Sequence, residues 1–208
     1  MHSHRLVRFF ICLLCFSFLS ASAPAIADEK EEDGSHIQPD NLYPRVAMHT
    51  SMGKFVIELN RYKAPITVNN FLRYVDKRMF NNTIFHRVES DYVIQGGGYT
   101  VDMKEKPDFG DIFNESGNGL KNDYYSVAMA RQVDPHSANR QFFINMNDND
   151  GLNPGRSWGY TVFGTVIEGT EILDKINQVE THYRPLLRMQ HVPKEPIILE
   201  NVVLLPEL

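Results

Sequence analysis

The sequence contains very little cysteine. Among its 208 residues only Cys12 and Cys15 carry a thiol, and both lie within the first 27 residues. Those residues have the pattern of a removable leader, and the chain that remains has no cysteine. This chain needs no disulfide, so its hydrophobic core must suffice for stability. Thiol catalysis and cysteine-ligated zinc are excluded for it.

Runs of positive charge are also missing. The net charge is −5, and the leader carries two arginines and no acidic residue, so the chain without it has a net charge of −7. A general nucleic-acid or anionic-membrane binder should be more basic. We therefore expect neither partner for the mature chain.

Several catalytic and metal-binding motifs are absent as well. There is no G-x-S-x-G and no HExxH motif, and the triple glycine at 96–98 is not followed by G-K-[ST]. With Gly151 in the sixth position, a calcium loop in "NDNDGLN" would begin at Met146 and end at Ser157, where acidic ligands are needed. We expect no metal and no cofactor. A hydrolase is disfavoured, although one missing motif does not exclude every hydrolase.

The N-terminus has the features of a secretory signal peptide. Arg5 and Arg8 precede an apolar run at 9–19, and small residues follow it up to an A-x-A sequence at 25–27. We predict a signal peptide over 1–27 with cleavage after Ala27. The alternative is a membrane anchor, which the shortness of the apolar run disfavours.

The rest of the chain divides into a tail and one domain. Residues 28–42 are acidic and polar and read as a flexible tail, so the folded domain is predicted over 43–208. Its helical apolar spacing predicts one helix that begins at Pro65 and another with Thr170 as its cap. Alternating or continuous apolar residues predict strands at 46–48, 55–59, 84–88, 92–95, 126–130, 141–145, 161–167 and 197–204. Many short strands with two helices suggest an all-β domain closed into an antiparallel barrel.

One stretch combines a cation, an amide and aromatic rings. "FHRVESDYVIQGGGYT" at 85–100 contains Arg87 and Gln95, and no partner carboxylate for the arginine is evident. The stretches "SVAMAR" at 126–131 and "SANRQFFINM" at 137–146 add a second glutamine and apolar residues. Taken singly, such an arginine is usually a solvated charge, and paired phenylalanines usually belong to the core.

Together these stretches resemble the cyclophilin family of peptidyl-prolyl cis–trans isomerases. "FHRV…YVIQGGGYT", "SVAMAR", "QFFIN" and "GYTVFGTV" at 159–166 follow the family's order from about residue 46 to 205, and the leader and "NDNDGLN" look most like its bacterial periplasmic branch. The resemblance implies a closed eight-stranded antiparallel β-barrel capped by two α-helices. It also implies an X-Pro peptide bond as the substrate.

The resemblance further assigns roles to individual residues. Arg87 would act on the twisted amide, and Gln95 would orient Arg87 and contact the substrate. The implied substrate-binding residues are Tyr92, Val93, Phe143 and Leu152 in a proline slot, Ala130 and Arg131 along the substrate backbone, Gln141 in the adjoining groove, and Tyr160 where many relatives have histidine.

Some positions depart from the family pattern. Most relatives have phenylalanine and methionine where this chain has Tyr92 and Val93. Gly151 stands where eukaryotic relatives often have a tryptophan at the rim of the pocket, and Trp158 does not align with that position. The resemblance implies that cyclosporin-type inhibitors bind this pocket and rim, so these departures affect inhibitor binding more than catalysis.

The expected function is therefore isomerisation of X-Pro bonds in unfolded or exported polypeptides. The resemblance and the leader together predict a monomer in the bacterial periplasm. The main alternative is a proline-binding holding chaperone without useful catalysis, which would use the same pocket. A hydrolase or metal enzyme is the second alternative.

Overall fold

The computed structural model describes residues 33–207, in which ten strands and two α-helices form. The helices are α1 (Pro65–Asp76) and α2 (Thr170–Asn177). The strands are β1 (Arg45–Thr50), β2 (Gly53–Leu59), β3 (Thr83–Glu89), β4 (Val93–Gly96), β5 (Ser126–Met129), β6 (Phe142–Asn145), β7 (Val162–Glu168), β8 (Thr181–Arg184), β9 (Met189–Pro193) and β10 (Ile197–Leu204).

Eight of these strands close into an antiparallel barrel. The order around it is β1-β10-β3-β4-β6-β5-β7-β2, and β8 and β9 form a separate two-stranded hairpin. Closure pairs both edges of every barrel strand, so none is left to template aggregation. The predicted eight-stranded barrel with two helices is confirmed.

Aromatic side chains fill the interior. Phe71 of α1 packs with its ring centroid 4.9 Å from that of Phe80, 5.6 Å from Phe142 and 5.2 Å from Phe163. Phe80, Phe142 and Phe163 are completely buried, and Phe71 is almost so. The apolar face of α1 thus covers the barrel core, and tilted and edge-on ring pairs of this kind are favourable.

The start of α1 is capped from a distant part of the chain. Its N-cap residue, Ala64, makes no side-chain hydrogen bond. Instead, the backbone N–H groups of Ile66 and Thr67 donate to the Glu115 carboxylate over 3.2 and 2.8 Å, and the Thr67 hydroxyl donates to it over 2.7 Å. Glu115 therefore satisfies amides that a helix leaves unpaired and places negative charge at the positive end of the helix dipole.

The second helix begins differently from the prediction. Thr170 is its first residue, not its cap, and Gly169 occupies the cap position with φ 76°. A Cβ at Gly169 would lie 2.4 Å from the Lys54 carbonyl oxygen. Glycine is required here because the turn combines a left-handed backbone with close approach to β2.

The expected flexible tail is packed where the structure describes it. Ile37 lies against the core, and the Arg61 guanidinium donates hydrogen bonds to the carbonyls of Ile37, Gln38 and Asn41. Three charge-assisted bonds from a buried cation order residues 33–42, so folded structure begins before residue 43. The predicted cleavage site and leader lie outside the described residues. Within 33–207, no helix is long and apolar enough to cross a membrane.

Candidate active site

Strand register gathers the candidate residues on one outer face of the barrel. Arg87 of β3 pairs with Gln95 of β4, and Gln95 pairs with Phe143 of β6. Phe143 pairs in turn with Ala128 of β5, which pairs with Val162 of β7. Side chains at directly opposed positions share a face of the sheet. A cation, an amide and an apolar surface therefore follow one another across five strands.

The apolar part of this row is a cluster of packed side chains, which we call the slot. At its centre are Val93, Ala128, Phe143 and Val162, each no more than 4% exposed. Partly buried residues pack around them, namely Tyr92, Leu120, Ala130, Leu152 and Tyr160. The Phe143 and Tyr160 rings meet edge-on with centroids 5.5 Å apart. These residues together form an apolar surface beside Arg87 and Gln95.

A chain of amides connects Arg87 to the neighbouring groove. Arg87 Nη1 lies 3.4 Å from Gln95 Oε1, and Gln95 Nε2 donates to Gln141 Oε1 over 3.0 Å. The guanidinium carbon also lies 5.7 Å from the centre of the Tyr92 ring. The side chain of Arg87 remains about one-third exposed (33%), so its remaining N–H groups can reach a ligand.

The triple glycine makes room for this network. Gly97 has φ +87°, and a Cβ at Gly98 would lie 2.7 Å from the side chain of Gln141. Gly97 supplies the left-handed backbone, and Gly98 allows the Gln141 amide to lie against the chain. The glycines that follow Gln95 thus position Gln141.

Arg87 has a partner carboxylate, which corrects the expectation from the sequence. Arg87 Nη2 donates a hydrogen bond to Glu89 Oε2, and His191 Nε2 lies 4.0 Å from the same oxygen. Glu89 is two residues further along β3, where strand alternation returns to the same face, so this spacing was the signal that could have found it. His191 lies on β9 and could not be placed from the sequence, since the hairpin was not predicted.

Arg131 binds within the protein. Its Nε and Nη2 donate to the carbonyls of Gly159 and Trp158 over 3.2 and 2.8 Å, and its guanidinium lies 4.6 Å from the centre of the Tyr160 ring. The Ala130 N–H donates to the Gln141 carbonyl over 2.9 Å. Because the Ala130 N–H is already paired, a substrate that hydrogen-bonds to the Ala130 backbone must bind to the Ala130 carbonyl oxygen.

The rim beside Leu152 is open. A Cβ at Gly151 would have no described atom within 4 Å. Trp158 lies against Phe113 and His136, with ring centroids 5.7 and 5.0 Å away. Trp158 therefore does not fill the space at Gly151.

Burial sets the protonation of the groups around Arg87. Burial and, to a smaller extent, the Arg87 charge lower the pKa of His86 to about 4, so it is neutral at neutral pH. Burial raises the pKa of Tyr92 and of Tyr99, so both hydroxyls remain protonated. No group of three or more His, Cys, Asp or Glu residues among 33–207 is arranged to hold a metal.

A somewhat larger cleft lies away from the site. A cavity of about 380 Å³ opens beside Arg87. A cavity of about 420 Å³ lies elsewhere, between α1 and β10, lined by residues such as Leu72, Asn81 and Asn201. The second cavity borders neither the slot nor Arg87. The cation, the amides and the apolar slot converge beside the cavity at Arg87.

Comparison with known proteins shows the family of the chain. The family model described as cyclophilin type peptidyl-prolyl cis-trans isomerase/CLD matches residues 45–203. The chain is 49% identical to peptidyl-prolyl cis-trans isomerase cyp18 of Streptomyces antibioticus over 77% of this chain and 98% of the relative. It is also 49% identical to peptidyl-prolyl cis-trans isomerase B of Escherichia coli, covering 76% of this chain and 97% of that protein.

A solved structure shows the same similarity in three dimensions. A cyclophilin-type peptidyl-prolyl cis-trans isomerase from Cryptosporidium parvum superposes with a TM-score of 0.66 at 25% identity, covering 79% of this chain and 99% of the other. The residues that the family model matches, 45–203, include Arg87, Gln95 and Phe143. The chain belongs to the cyclophilin-type peptidyl-prolyl cis-trans isomerases.

Proposed function

We propose that this isomerase works without a covalent intermediate, with Arg87 stabilising the twisted X-Pro amide. The observation that supports this most directly is the register that places Arg87, Gln95 and Phe143 side by side across three strands. A proline ring in the apolar slot would bring its nitrogen beside the guanidinium. Gln95 would orient that guanidinium, since its amide oxygen lies 3.4 Å from Arg87 Nη1.

The chemistry follows from the nature of the bond. Rotation about a peptide bond costs about 18–20 kcal/mol, although the cis form of X-Pro is only slightly less stable than trans. In the twisted state the amide loses resonance, and the proline nitrogen becomes pyramidal and gains a lone pair. A guanidinium can donate to that lone pair in the twisted state but poorly in the planar ground state. Such an interaction accelerates the reaction because it is stronger in the transition state.

The remaining residues would hold the substrate. Val93, Phe143 and Leu152 would enclose the proline ring, with Tyr92 and Tyr160 at the sides of the slot. Gln141 would line the groove beyond Gln95, and the backbone of Ala130 and Arg131 would contact the peptide. Because every assigned side chain acts by contact, the reaction requires no metal, thiol or cofactor.

The substrates would be proline-containing segments of exported polypeptides that are still folding. The leader pattern at 1–27 supports export, and because relatives of similar sequence are bacterial we propose the periplasm as the destination. We propose that the protein acts there as a monomer. An open slot also suits the alternative of a holding chaperone, in which the peptide is bound but its rotation is not accelerated.

Exchange NMR on a short X-Pro peptide tests this function. We expect catalytic amounts of the protein to broaden and exchange the cis and trans signals, with the same rate in EDTA. Binding of the peptide without any acceleration would favour the holding chaperone. Activity lost in EDTA and restored by a metal would contradict the metal-free mechanism.

A further inference from the structure

The cavity beside Arg87 is distinct from the proline slot. It has a volume of about 380 Å³ and is lined by β3, β4 and the β8–β9 hairpin, together with Tyr99 and Gln141. This volume lies within the usual range for small-molecule sites, about 300–1,000 Å³. Arg87 and Gln95 border the cavity and also adjoin the slot. A peptide with its proline in the slot therefore has room for a neighbouring side chain in this cavity.

Glu89 supplies the one carboxylate among the lining residues. Its side chain is 34% exposed. The hydrogen bond from Arg87 and the approach of His191 both involve Glu89 Oε2, which leaves Glu89 Oε1 for a ligand. An ionised carboxylate can accept at both oxygens.

Part of the cavity wall suits the methylene stem of a long side chain. Tyr99 and Met189 offer apolar surface to a methylene stem, and Gln190 adds an amide at the rim. His86 lies in the wall as a neutral ring, since its pKa is lowered to about 4. Lysine and arginine side chains bury their stems along such surfaces while their charged ends find a partner.

We propose that Glu89 makes this cavity a cation-selective subsite, so that the isomerase prefers peptides with lysine or arginine next to the proline. The inference rests on the proposed function, because the preference is defined relative to a proline held beside Arg87. The Glu89 carboxylate is one hydrogen bond from the guanidinium that acts on the proline nitrogen. A residue directly before or after the proline, whose Cα is about 3.8 Å from that of the proline, brings its side chain within reach.

The position of Glu89 also disfavours peptides with an acidic residue next to the proline. A lysine ammonium would bind Glu89 Oε1 and draw the carboxylate away from Arg87, which frees donors for the amide. A glutamate in the same place would meet the repulsion of Glu89 and would compete for Arg87. Exposed ion pairs change affinities by roughly 1.4- to 5-fold each, so the two effects together give a preference of roughly two- to 25-fold.

The experiment measures isomerisation of two peptide series by exchange NMR. Lysine, glutamine or glutamate occupies the position before the proline in one series and after it in the other. The wild-type protein is compared with Glu89→Gln, which keeps the size of the side chain and removes its charge. Glu200→Gln is the matched control, since Glu200 is an exposed glutamate on β10.

We expect kcat/KM to be at least twofold higher for lysine than for glutamate in one of the two series. That ratio should fall at least twofold in Glu89→Gln and stay constant in Glu200→Gln. The lysine-to-glutamate ratio of the wild type should also shrink at high salt, which tests the role of the Glu89 charge even if the variant folds poorly. Equal rates for lysine and glutamate in both series, with clear acceleration, would overturn the subsite and leave the isomerase intact. Acceleration of no peptide would overturn the proposed function and the subsite with it.

Discussion

His86 is a buried base beside the cation that is proposed to do the chemistry. It is only 5% exposed, and its Nδ1 has no hydrogen-bond partner among the described residues. Burial lowers its pKa from 6.5 to about 4 in the folded protein. The unfolded chain therefore binds a proton first as the pH falls, and folding loses stability between about pH 6.5 and pH 4.

We expect this residue to contribute a loss of up to about 3 kcal/mol in unfolding free energy across that interval. Chemical denaturation of the wild type and of His86→Gln at a series of pH values measures it. The variant should show a flatter pH dependence, whereas His182→Gln, at an exposed histidine, should follow the wild type. Parallel curves for His86→Gln and the wild type would contradict the assignment.

We predict that the missing side chain at Gly151 weakens inhibitor binding at the rim of the slot. Loss of an aromatic anchor at a binding surface costs about 2 kcal/mol or more, roughly thirtyfold in affinity. We therefore expect an active isomerase that cyclosporin inhibits only weakly, and tighter inhibition of Gly151→Trp, whose side chain enters open space. Inhibition constants for the two proteins provide the comparison. Nanomolar inhibition of the wild type would refute this reading of the rim.

The elements show where sequence patterns suffice. Arg87, Gln95 and Phe143 could each be assigned to a strand because turn residues bounded each apolar stretch, but the sequence did not show that the three strands are neighbours. The ion pair to Glu89 was missed because its spacing along β3 was not converted into a shared face. The β8–β9 hairpin was missed because its strands are short and bury only Val192 and Pro193, so they show no apolar alternation. His191 reaches the site only through that hairpin.

The long-range cap of α1 also escaped prediction. Caps are recognised by side chains next to a helix, but Glu115 lies 48 residues from Thr67 in the sequence. We expect Glu115→Gln to lower the unfolding free energy by about 0.5–2 kcal/mol, the range for loss of a cap. Equilibrium denaturation measures the change, with Glu200→Gln as the control. A loss no larger than that of the control would show that Glu115 adds nothing to α1.

At the scale of the whole molecule, the barrel strands determine where the site residues lie, and segments outside the barrel, such as the β8–β9 hairpin, add further residues beside them. Closure sets the order β3-β4-β6-β5-β7, and this order together with the strand register places the cation beside the slot. The resemblance supplied the roles of the residues, while strand pairing supplied their geometry. The packing of residues 33–42 could not be read from composition, because it depends on one buried arginine that lies 20–24 residues away from its three carbonyl partners.

The turnover of Arg87→Ala tests the central mechanism most directly. Loss of a donor that acts only in the transition state typically lowers kcat by about 10²–10³-fold. We expect such a loss in the exchange assay, with little change in unfolding free energy because Arg87 is one-third exposed. The kcat of Arg87→Lys should fall between those of the wild type and Arg87→Ala, since lysine keeps the charge but not the planar fork of donors. Lys63→Ala, at an exposed cation, should match the wild type. Turnover close to wild type in a folded Arg87→Ala protein would contradict the mechanism.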